Sequence, residues 1–495
     1  MTVAEVLAGV PLRTPVPAAI EGQTVTGLGY DSRRVATGFL FFAFPGSRVD
    51  GRAFAAEAMR RGAVAVVSDL GPPEGFPGPW METPHGRQAL ALAARNFYGA
   101  PDARIQLTGI TGTNGKTTVA YLVDSVLRAA GKTTALVGTI EYRLAGKVLP
   151  AANTTPESLD LVALLAELEQ LGGTHATMEV SSHALALGRV HALQFHTAVF
   201  TNLSQDHLDF HGTMEAYFHA KSRLFAGAGA PPPGWAVVNH EDPATPKLPI
   251  DPATRVIAYG LGQGASLRAS HIASTVRGLQ FHVGYGKQKK RIRSPLIGGV
   301  NVHNILAACG AGISYGLPLD TIAEGIAACP GIPGRFERVD EGQPFGVVVD
   351  YAHTPDALRN VIAIARALTR GRVITLFGCG GDRDRNKRPP MGQAAAASDF
   401  VVLTSDNPRS EDPIAILTDA LVGVRRTDVA HAIEPDRAAA IRQAIGMAHA
   451  GDMVILAGKG HETYQEIAGQ RNPFDDREVA RMVLREMGFG GGQRT

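Results

Sequence analysis

The run Thr108-Gly109-Ile110-Thr111-Gly112-Thr113-Asn114-Gly115-Lys116-Thr117-Thr118 constrains this chain more than any other stretch. An apolar segment, residues 105–110, leads into it, and residues 119–127, apolar at helical spacing, lead out. The pattern predicts a strand, a phosphate loop and a helix. Glycines in such a loop let backbone N–H groups converge on phosphate oxygens, and the helix N-terminus adds a favourable dipole. Lys116 is placed to reach the terminal phosphates, and a hydroxyl of Thr117 or Thr118 to ligate Mg²⁺. The generic spacing asks for glycine where Ile110 stands, and the nearest is Gly109, so the pattern is displaced by one residue. ATP is the expected ligand.

At 495 residues the chain exceeds what one hydrophobic core usually supports, so two to four domains are expected. With 48 basic and 46 acidic residues the net charge is +2, which argues against a general nucleic-acid or membrane-surface binder. An anionic small substrate could still find a local basic pocket. Cys309, Cys329 and Cys379 lack metal-like spacing and an even count, as suits a reducing cytoplasm without disulfides. Residues 1–17 lack a basic start followed by an apolar core, and no stretch has the length of a membrane span. A cytoplasmic protein with no membrane insertion is therefore expected.

Residues 1–100 suggest a small α/β unit. A strand is predicted over 38–44 and an Ala-rich helix over 53–61. Asp31-Ser32-Arg33, taken alone, favours a turn over a ligand site. Residues 101–332 alternate strand-like and helix-like patterns, as a mostly parallel sheet with flanking helices would. Strands are predicted over 134–139, 176–180, 197–201 and 235–239. The first three end beside polar clusters: Asn153-Thr154-Thr155-Pro156, Met178-Glu179-Val180-Ser181-Ser182-His183, and Thr201 to Asp209 with Asn202, Asp206 and His207. In open α/β sheets ligands collect beyond the carboxyl ends of strands, so chemistry is expected there. Glu179, closing an apolar strand, suits Mg²⁺ beside phosphates. His207 by spacing alone is a cap or hydrogen-bonding residue before it is a ligand, and Lys221, on a helix predicted over 214–225, is solvated by default. Alternation over 272–292 suggests a hairpin whose Lys287–Arg291 run faces solvent, so no nucleic acid is assigned. Asn301 and Asn304, at i and i+3, share a helix face and either read a base or ribose or cap the helix.

Pro330-Gly331-Ile332-Pro333-Gly334 breaks the chain, and residues 333–495 return to α/β alternation. Four predicted strands deliver charge at one edge: Asp350-Tyr351-Ala352-His353, Gly378 to Arg388 with Arg383, Asp406-Asn407-Pro408-Arg409, and Gly458-Lys459-Gly460-His461-Glu462. A second substrate pocket is favoured over a structural domain, where charge would scatter.

The loop Gly112-Thr113-Asn114-Gly115-Lys116-Thr117, the segment Met178 to His183, Asn202 with Asp206-His207, Gly334-Arg335-Phe336-Glu337, Asp350-Tyr351-Ala352-His353 and Asp406-Asn407-Pro408-Arg409 together resemble the Mur ligase family. The likeness runs from about residue 27 to 478 and is strongest to members that add the third residue of the peptidoglycan stem peptide. It accounts for Ile110, because the family's loop reads Gly-Thr-Asn-Gly-Lys-Thr.

The resemblance implies three domains: a UDP-sugar-binding N-terminal α/β domain over 1–100, a central ATP-binding P-loop domain over 101–332, and a Rossmann-like amino-acid-binding domain over 333–495. It implies an ATP- and Mg²⁺-dependent monomer that phosphorylates the γ-carboxylate of UDP-N-acetylmuramoyl-L-alanyl-D-glutamate and passes the acyl group to an amine. Residues 112–118 (Gly112, Thr113, Asn114, Gly115, Lys116, Thr117, Thr118) would hold ATP, with Asn301, Arg335 and Asp350 handling adenine, ribose and phosphate. Thr117 and Glu179 would hold one Mg²⁺, and Glu179, His207 and a carbamate on Lys221 a second. Ser32 would meet the uridine end, and Thr154, Thr155, Ser182 and Arg189 the muramoyl dipeptide.

For the amino acid, the resemblance implies meso-diaminopimelate, held by Arg383, Asp406, Asn407, Pro408, Arg409, Gly458 and Glu462. A lysine substrate ends in an ammonium alone, so only a substrate ending in a carboxylate as well rewards an Arg fork at Arg409. Three alternatives are a lysine-adding counterpart, a folate polyglutamylating ligase and a nucleotide-dependent switch without a covalent product. The folate ligase gives no reason for the N-terminal unit or for Asp406 to Arg409.

Overall fold

A computed structural model describes residues 1–46, 49–275 and 278–490. The first sheet has four parallel strands, Gly27–Gly29, Phe39–Ala43, Ala65–Ser68 and Trp80–Glu82, in chain order. The helix expected over 53–61 begins instead as a 3₁₀ turn, Gly51–Phe54, because the Asp50 side chain accepts from Arg52 N and holds the tighter turn. The α-helix proper is Ala55–Arg60.

The central sheet has eleven strands. Its parallel centre runs Arg255–Gly260, Trp235–Asn239, Thr197–Phe200, Gln106–Thr111, His175–Glu179, Thr134–Val137. Leu267–Thr275 pairs parallel beside Arg255–Gly260, and antiparallel strands continue beyond it and beyond Thr134–Val137. Gln106–Thr111 lies between two strands that follow it in the chain, so the strand order reverses there and opens a crevice at its carboxyl end. The hairpin expected over 272–292 is present as Gly278–Tyr285 paired with Gln288–Ser294; residues 276 and 277 of that stretch lie outside the described residues. The strand expected over 134–139 stops at Val137. A Cβ at Gly138 would stand 2.5 Å from Glu179 Oε1, and Thr139 N donates to that oxygen at 2.8 Å, so the chain leaves the ladder to serve the carboxylate.

The helix after the loop, Lys116–Ala129, buries Val119, Leu122, Val123, Val126 and Leu127. Each such side chain contributes roughly 1.5–3 kcal/mol. Lys132 N donating to Leu127 O, with Gly131 at φ +72°, closes it. Apolar residues of the N-terminal sheet and of one face of the central sheet form a continuous core, and the other face packs on Lys116–Ala129 and Val300–Ser314.

The last large sheet runs Glu337–Arg338, Gly346–Asp350, Met453–Ala457, Val373–Phe377, Phe400–Leu403, Ala430–Ile433. Its register sets Asp350 beside Ala457, Leu376 beside Leu456 and Phe377 beside Leu403, so the four charged segments leave neighbouring parallel strands at one level. Behind them Arg437 and Asp476, both fully buried, form a bidentate ion pair, and Arg437 also donates to the carbonyls of Ser405 and Ala457. All three cysteines are free and buried. Among the described residues no helix is long and apolar enough to cross a membrane.

Candidate active site

The phosphate loop is clamped from the neighbouring strand. Thr113 N donates to Asn202 O at 2.8 Å, Asn114 N to Asn202 Oδ1 at 2.9 Å, and Thr201 Oγ1 to Asn114 O at 2.6 Å. Two positions exclude a side chain: a Cβ at Gly112 (φ +146°) would collide with Thr201 Oγ1, and one at Gly115 (φ +87°) with Asn304 Oδ1. Among the described residues no side chain caps the first turn of Lys116–Ala129, which leaves its N–H groups to a ligand. Lys116 Nζ folds back onto the carbonyls of Gly112 and Thr113 at 2.9 and 2.8 Å, and burial pushes its pKa below the usual lysine value.

Asn304 Nδ2 donates to Asn301 Oδ1 at 2.9 Å, and Asn301 Nδ2 to Ile297 O at 2.7 Å, so the asparagine pair braces the loop and its own helix entry together.

Glu179 is the hub. It is 1% exposed, and its oxygens accept from Thr117 Oγ1 at 3.0 Å, Thr139 N at 2.8 Å and Thr139 Oγ1 at 3.0 Å. Arg335 Nη2 donates to Thr117 Oγ1 at 3.2 Å from the far side of the cleft. Among the described residues no group of three or more His, Cys, Asp or Glu side chains could hold a metal by itself. One carboxylate and one hydroxyl beside a phosphate loop nonetheless fit Mg²⁺, which takes few protein ligands and completes its shell with phosphate oxygens and water.

Lys221 is 1% exposed, with Nζ 2.7 Å from Gly112 O and 4.3 Å from the centre of the Tyr217 ring. Among the described residues no carboxylate pairs with it, and burial holds its pKa well below the lysine range. His207 begins a short helix at φ +55°, its ring 4.8 Å from that of His183, and burial pushes its pKa down to about 3. Asp206 meets His207 at 3.5 Å, His353 at 3.6 Å and Lys387 at 3.6 Å.

Lys116, Thr117, Glu179, His207, Lys221, Thr154, Ser182 and Arg335 all line one cavity of about 660 Å³. Thr155 and Arg189 stand behind it: Thr155 Oγ1 donates to Glu179 O at 2.8 Å and Arg189 Nη1 to Thr155 O at 3.0 Å. Thr118 is buried in the first turn of the helix. Asp350 accepts from Phe336 N at 2.7 Å, and burial raises its pKa against the opposing charge of Arg335. Ser32 lies apart in the N-terminal unit, 4% exposed in the turn Ser32–Arg34, donating to Glu57 of the helix Ala55–Arg60 at 3.0 Å.

A second cavity, about 730 Å³, gathers Arg383, Asp406, Asn407, Arg409, Gly458 and Glu462. Pro408 is not among the residues that line it; its carbonyl packs against Gly381, where a Cβ would collide with it. Arg409, at φ +56°, donates through Nη1 to Gly381 O at 2.6 Å. The two cavities share Asp206, His207, Tyr351 and His353. Sequence reasoning assigned no role to Thr139, Asp206, His353, Lys387 or Lys459. The motifs holding Asp206, His353 and Lys459 were visible, but their mutual approach was not.

Three family models match in order: "Mur ligase family, catalytic domain" over residues 24–98, "Mur ligase middle domain" over 110–312 and "Mur ligase, glutamate ligase domain" over 334–460. A relative from Solibacter usitatus (strain Ellin6076) is 64% identical over 490 residues, covering 99% of both chains. One from Geobacillus kaustophilus (strain HTA426) is 46% identical over 469, covering 94% of this chain and 96% of its own. Both are named UDP-N-acetylmuramoyl-L-alanyl-D-glutamate--2,6-diaminopimelate ligase. A solved structure of a protein with that name superposes at TM-score 0.69 with 34% identity, over 99% of this chain and 100% of that one. Thermotoga maritima MurF in complex with ADP shares the fold at TM-score 0.63 and 18% identity, over 93% of this chain and 96% of its own. With three domain models matched in order and close relatives spanning its whole length, the chain belongs to the Mur ligase family.

Proposed function

We propose that the protein is the ATP-dependent ligase that joins meso-2,6-diaminopimelate to the D-glutamate γ-carboxylate of UDP-N-acetylmuramoyl-L-alanyl-D-glutamate, in peptidoglycan synthesis. The observation that carries this is the wall shared by the phosphate-loop cavity and the charged cavity, formed by Asp206, His207, Tyr351 and His353. An acid presented there is within reach of a γ-phosphate on one side and an amine on the other.

A γ-carboxylate oxygen attacks the γ-phosphorus and ADP leaves, which converts a poor acyl donor into an acyl phosphate. The amine then attacks the acyl carbon, and the tetrahedral intermediate expels phosphate and sheds the amine proton. Lys116 and the N–H groups of residues 112–118 hold the β- and γ-phosphates, and Asn301, Arg335 and Asp350 grip the rest of the nucleotide. Thr117, Glu179, His207 and a carbamate on Lys221 would hold Mg²⁺, which neutralises phosphate charge when bound. Thr154, Thr155, Ser182 and Arg189 position the dipeptide, and Ser32 the uridine end. Arg383 and Arg409 receive the distal carboxylate, with Asp406, Asn407, Gly458 and Glu462 on the amino group. We assign the roles of the N-terminal, central and C-terminal domains to residues 1–100, 101–332 and 333–495, in a cytoplasmic monomer. Two guanidinium groups in the amino-acid cavity favour diaminopimelate over lysine.

Phosphate release is expected to require ATP, the UDP-dipeptide and an amine together. Comparing meso-diaminopimelate, L-lysine and L-ornithine tests the specificity, and equal or better turnover with lysine would refute it.

A further inference from the structure

A buried cation stands behind the amino-acid cavity, against two of its lining residues. Lys459, whose side chain is fully buried, donates to Asn407 Oδ1 and to Glu462 Oε2, each at 3.1 Å, and lies 3.7 Å from Asp406 Oδ1. Asn407 is locked by the same contacts. Its oxygen accepts from Lys459 and from Glu466 N at 2.9 Å, while its nitrogen donates to Glu462 Oε2 at 2.8 Å. A flipped amide would turn its nitrogen toward two donors. Among the described residues every hydrogen bond to Glu462 falls on Oε2, which leaves Oε1 for a ligand.

Charge balance follows from these contacts. Two carboxylates, Asp406 and Glu462, face one chain-borne ammonium. The other groups facing them do not change the sum. Arg437 is matched by Asp476, Lys387 by Asp206 and Arg335 by Asp350, burial keeps His461 neutral with a pKa of about 3, and burial keeps the Tyr351 and Tyr464 hydroxyls and the Cys379 thiol protonated. Arg383 and Arg409 also line the cavity, Arg409 acting on Tyr464, and the proposed function sets both against the substrate's distal carboxylate.

We propose that Lys459 is a specificity-determining positioning residue: it neutralises one of the two carboxylates, fixes the Asn407 amide, and so sets the demand at this end of the cavity to a single substrate ammonium. The proposal rests on the reading of this cavity as the amino-acid site. Burial and Asp406 both drive the Glu462 pKa upward, and Lys459 opposes them. Without the lysine, Glu462 takes up a proton that the substrate ammonium must displace.

The test is steady-state kinetics of the full-length wild type, Lys459→Met, Lys459→Arg and the double variant K459M/E462Q between pH 6 and 9.5. In K459M the KM for meso-diaminopimelate at pH 7 is expected to rise about tenfold, and the acid limb of its kcat/KM to move up by about one pH unit. The KM values for ATP and UDP-dipeptide should stay unchanged. K459R should keep the wild-type limb. The double variant removes one charge of each sign and should return the limb to its wild-type position, and it carries the test if K459M does not fold. An unmoved limb in K459M, an equal shift in K459R, or a double variant that recovers neither folding nor the limb overturns the proposal. Wild-type enzyme that fails to use meso-diaminopimelate overturns the activity reading instead, before any variant is compared.

Discussion

The carboxylate of Asp206 and the imidazole of His353 face each other at 3.6 Å across the cleft between the central and C-terminal sheets. Lys387, also from the C-terminal side, stands 3.6 Å from the same carboxylate. Burial alone would raise the Asp206 pKa, but His353, Lys387 and His207 hold it far below the usual carboxylate range. One acidic side chain thus ties the phosphate-loop domain to two segments of the C-terminal domain.

Asp206→Asn is therefore expected to destabilise the protein by about 3 kcal/mol at neutral pH, as loss of one partner of a buried pair does. Because the folded pKa is depressed, the stabilisation is complete above the unfolded value of about 4 and is lost only as pH falls below it. Denaturant unfolding of the variant and wild type should show a constant gap from pH 7 to 5 that narrows below pH 4. A gap that instead widens as pH falls from 7 to 6 would mean that a histidine gaining charge supplies the attraction.

Lys116→Ala should leave the circular dichroism spectrum and melting temperature close to wild type, since among the described residues Nζ bonds only to two carbonyls of its own loop. Turnover should fall by about 10³-fold or more, because a cation aimed at the transferred phosphoryl group is lost. Substantial residual activity would contradict the phosphate role.

Arg409→Lys keeps the charge and removes the planar fork. The ratio of kcat/KM for meso-diaminopimelate to that for L-lysine should fall by about 2 kcal/mol, or roughly 30-fold. An unchanged ratio would mean that Arg409 does not clamp the distal carboxylate.

Lys221→Ala should be inactive and partly rescued by short-chain carboxylic acids, which can place an oxygen ligand where the carbamate would stand. Wild-type enzyme equilibrated with ¹³C-bicarbonate should show a carbamate carbon signal that K221A lacks. Indifference to added acids together with no signal would leave Lys221 as the uncarbamylated amine bonded to Gly112 O.

Breaking the buried pair with Asp476→Ala should cost about 3–5 kcal/mol, because Arg437 is left charged and unmatched. It should also raise the KM for the amino acid more than that for ATP, since Arg437 holds the carbonyls of Ser405 and Ala457 that precede the pocket loops.

What could be seen in the sequence was local. Residues 105–127 announce strand, loop and helix through a change of apolar period, and Glu179 stands out as a carboxylate closing an apolar strand. Contacts that depend on register stayed hidden. Thr139 reaches Glu179 only because Gly138 leaves room, and Asp206 meets His353 and Lys387 only because two sheets present their carboxyl edges to one another. Lys221 shows no local sign of its burial, so composition and spacing gave it to solvent, and only the family resemblance moved it inside. Lys459 was one more lysine in a glycine-rich loop until the positions of Asn407 and Glu462 gave it partners.

Gly334 holds φ +66°, and a Cβ there would collide with the backbone N of His461 and with Gly460. The interdomain linker is thereby seated against the loop that carries Lys459 and Glu462, and the residue that follows it, Arg335, reaches Thr117 in the nucleotide site. The two cavities are consequently geared to one backbone joint: any rotation that draws Arg335 away from Thr117 also drags on the loop that carries Lys459 and Glu462.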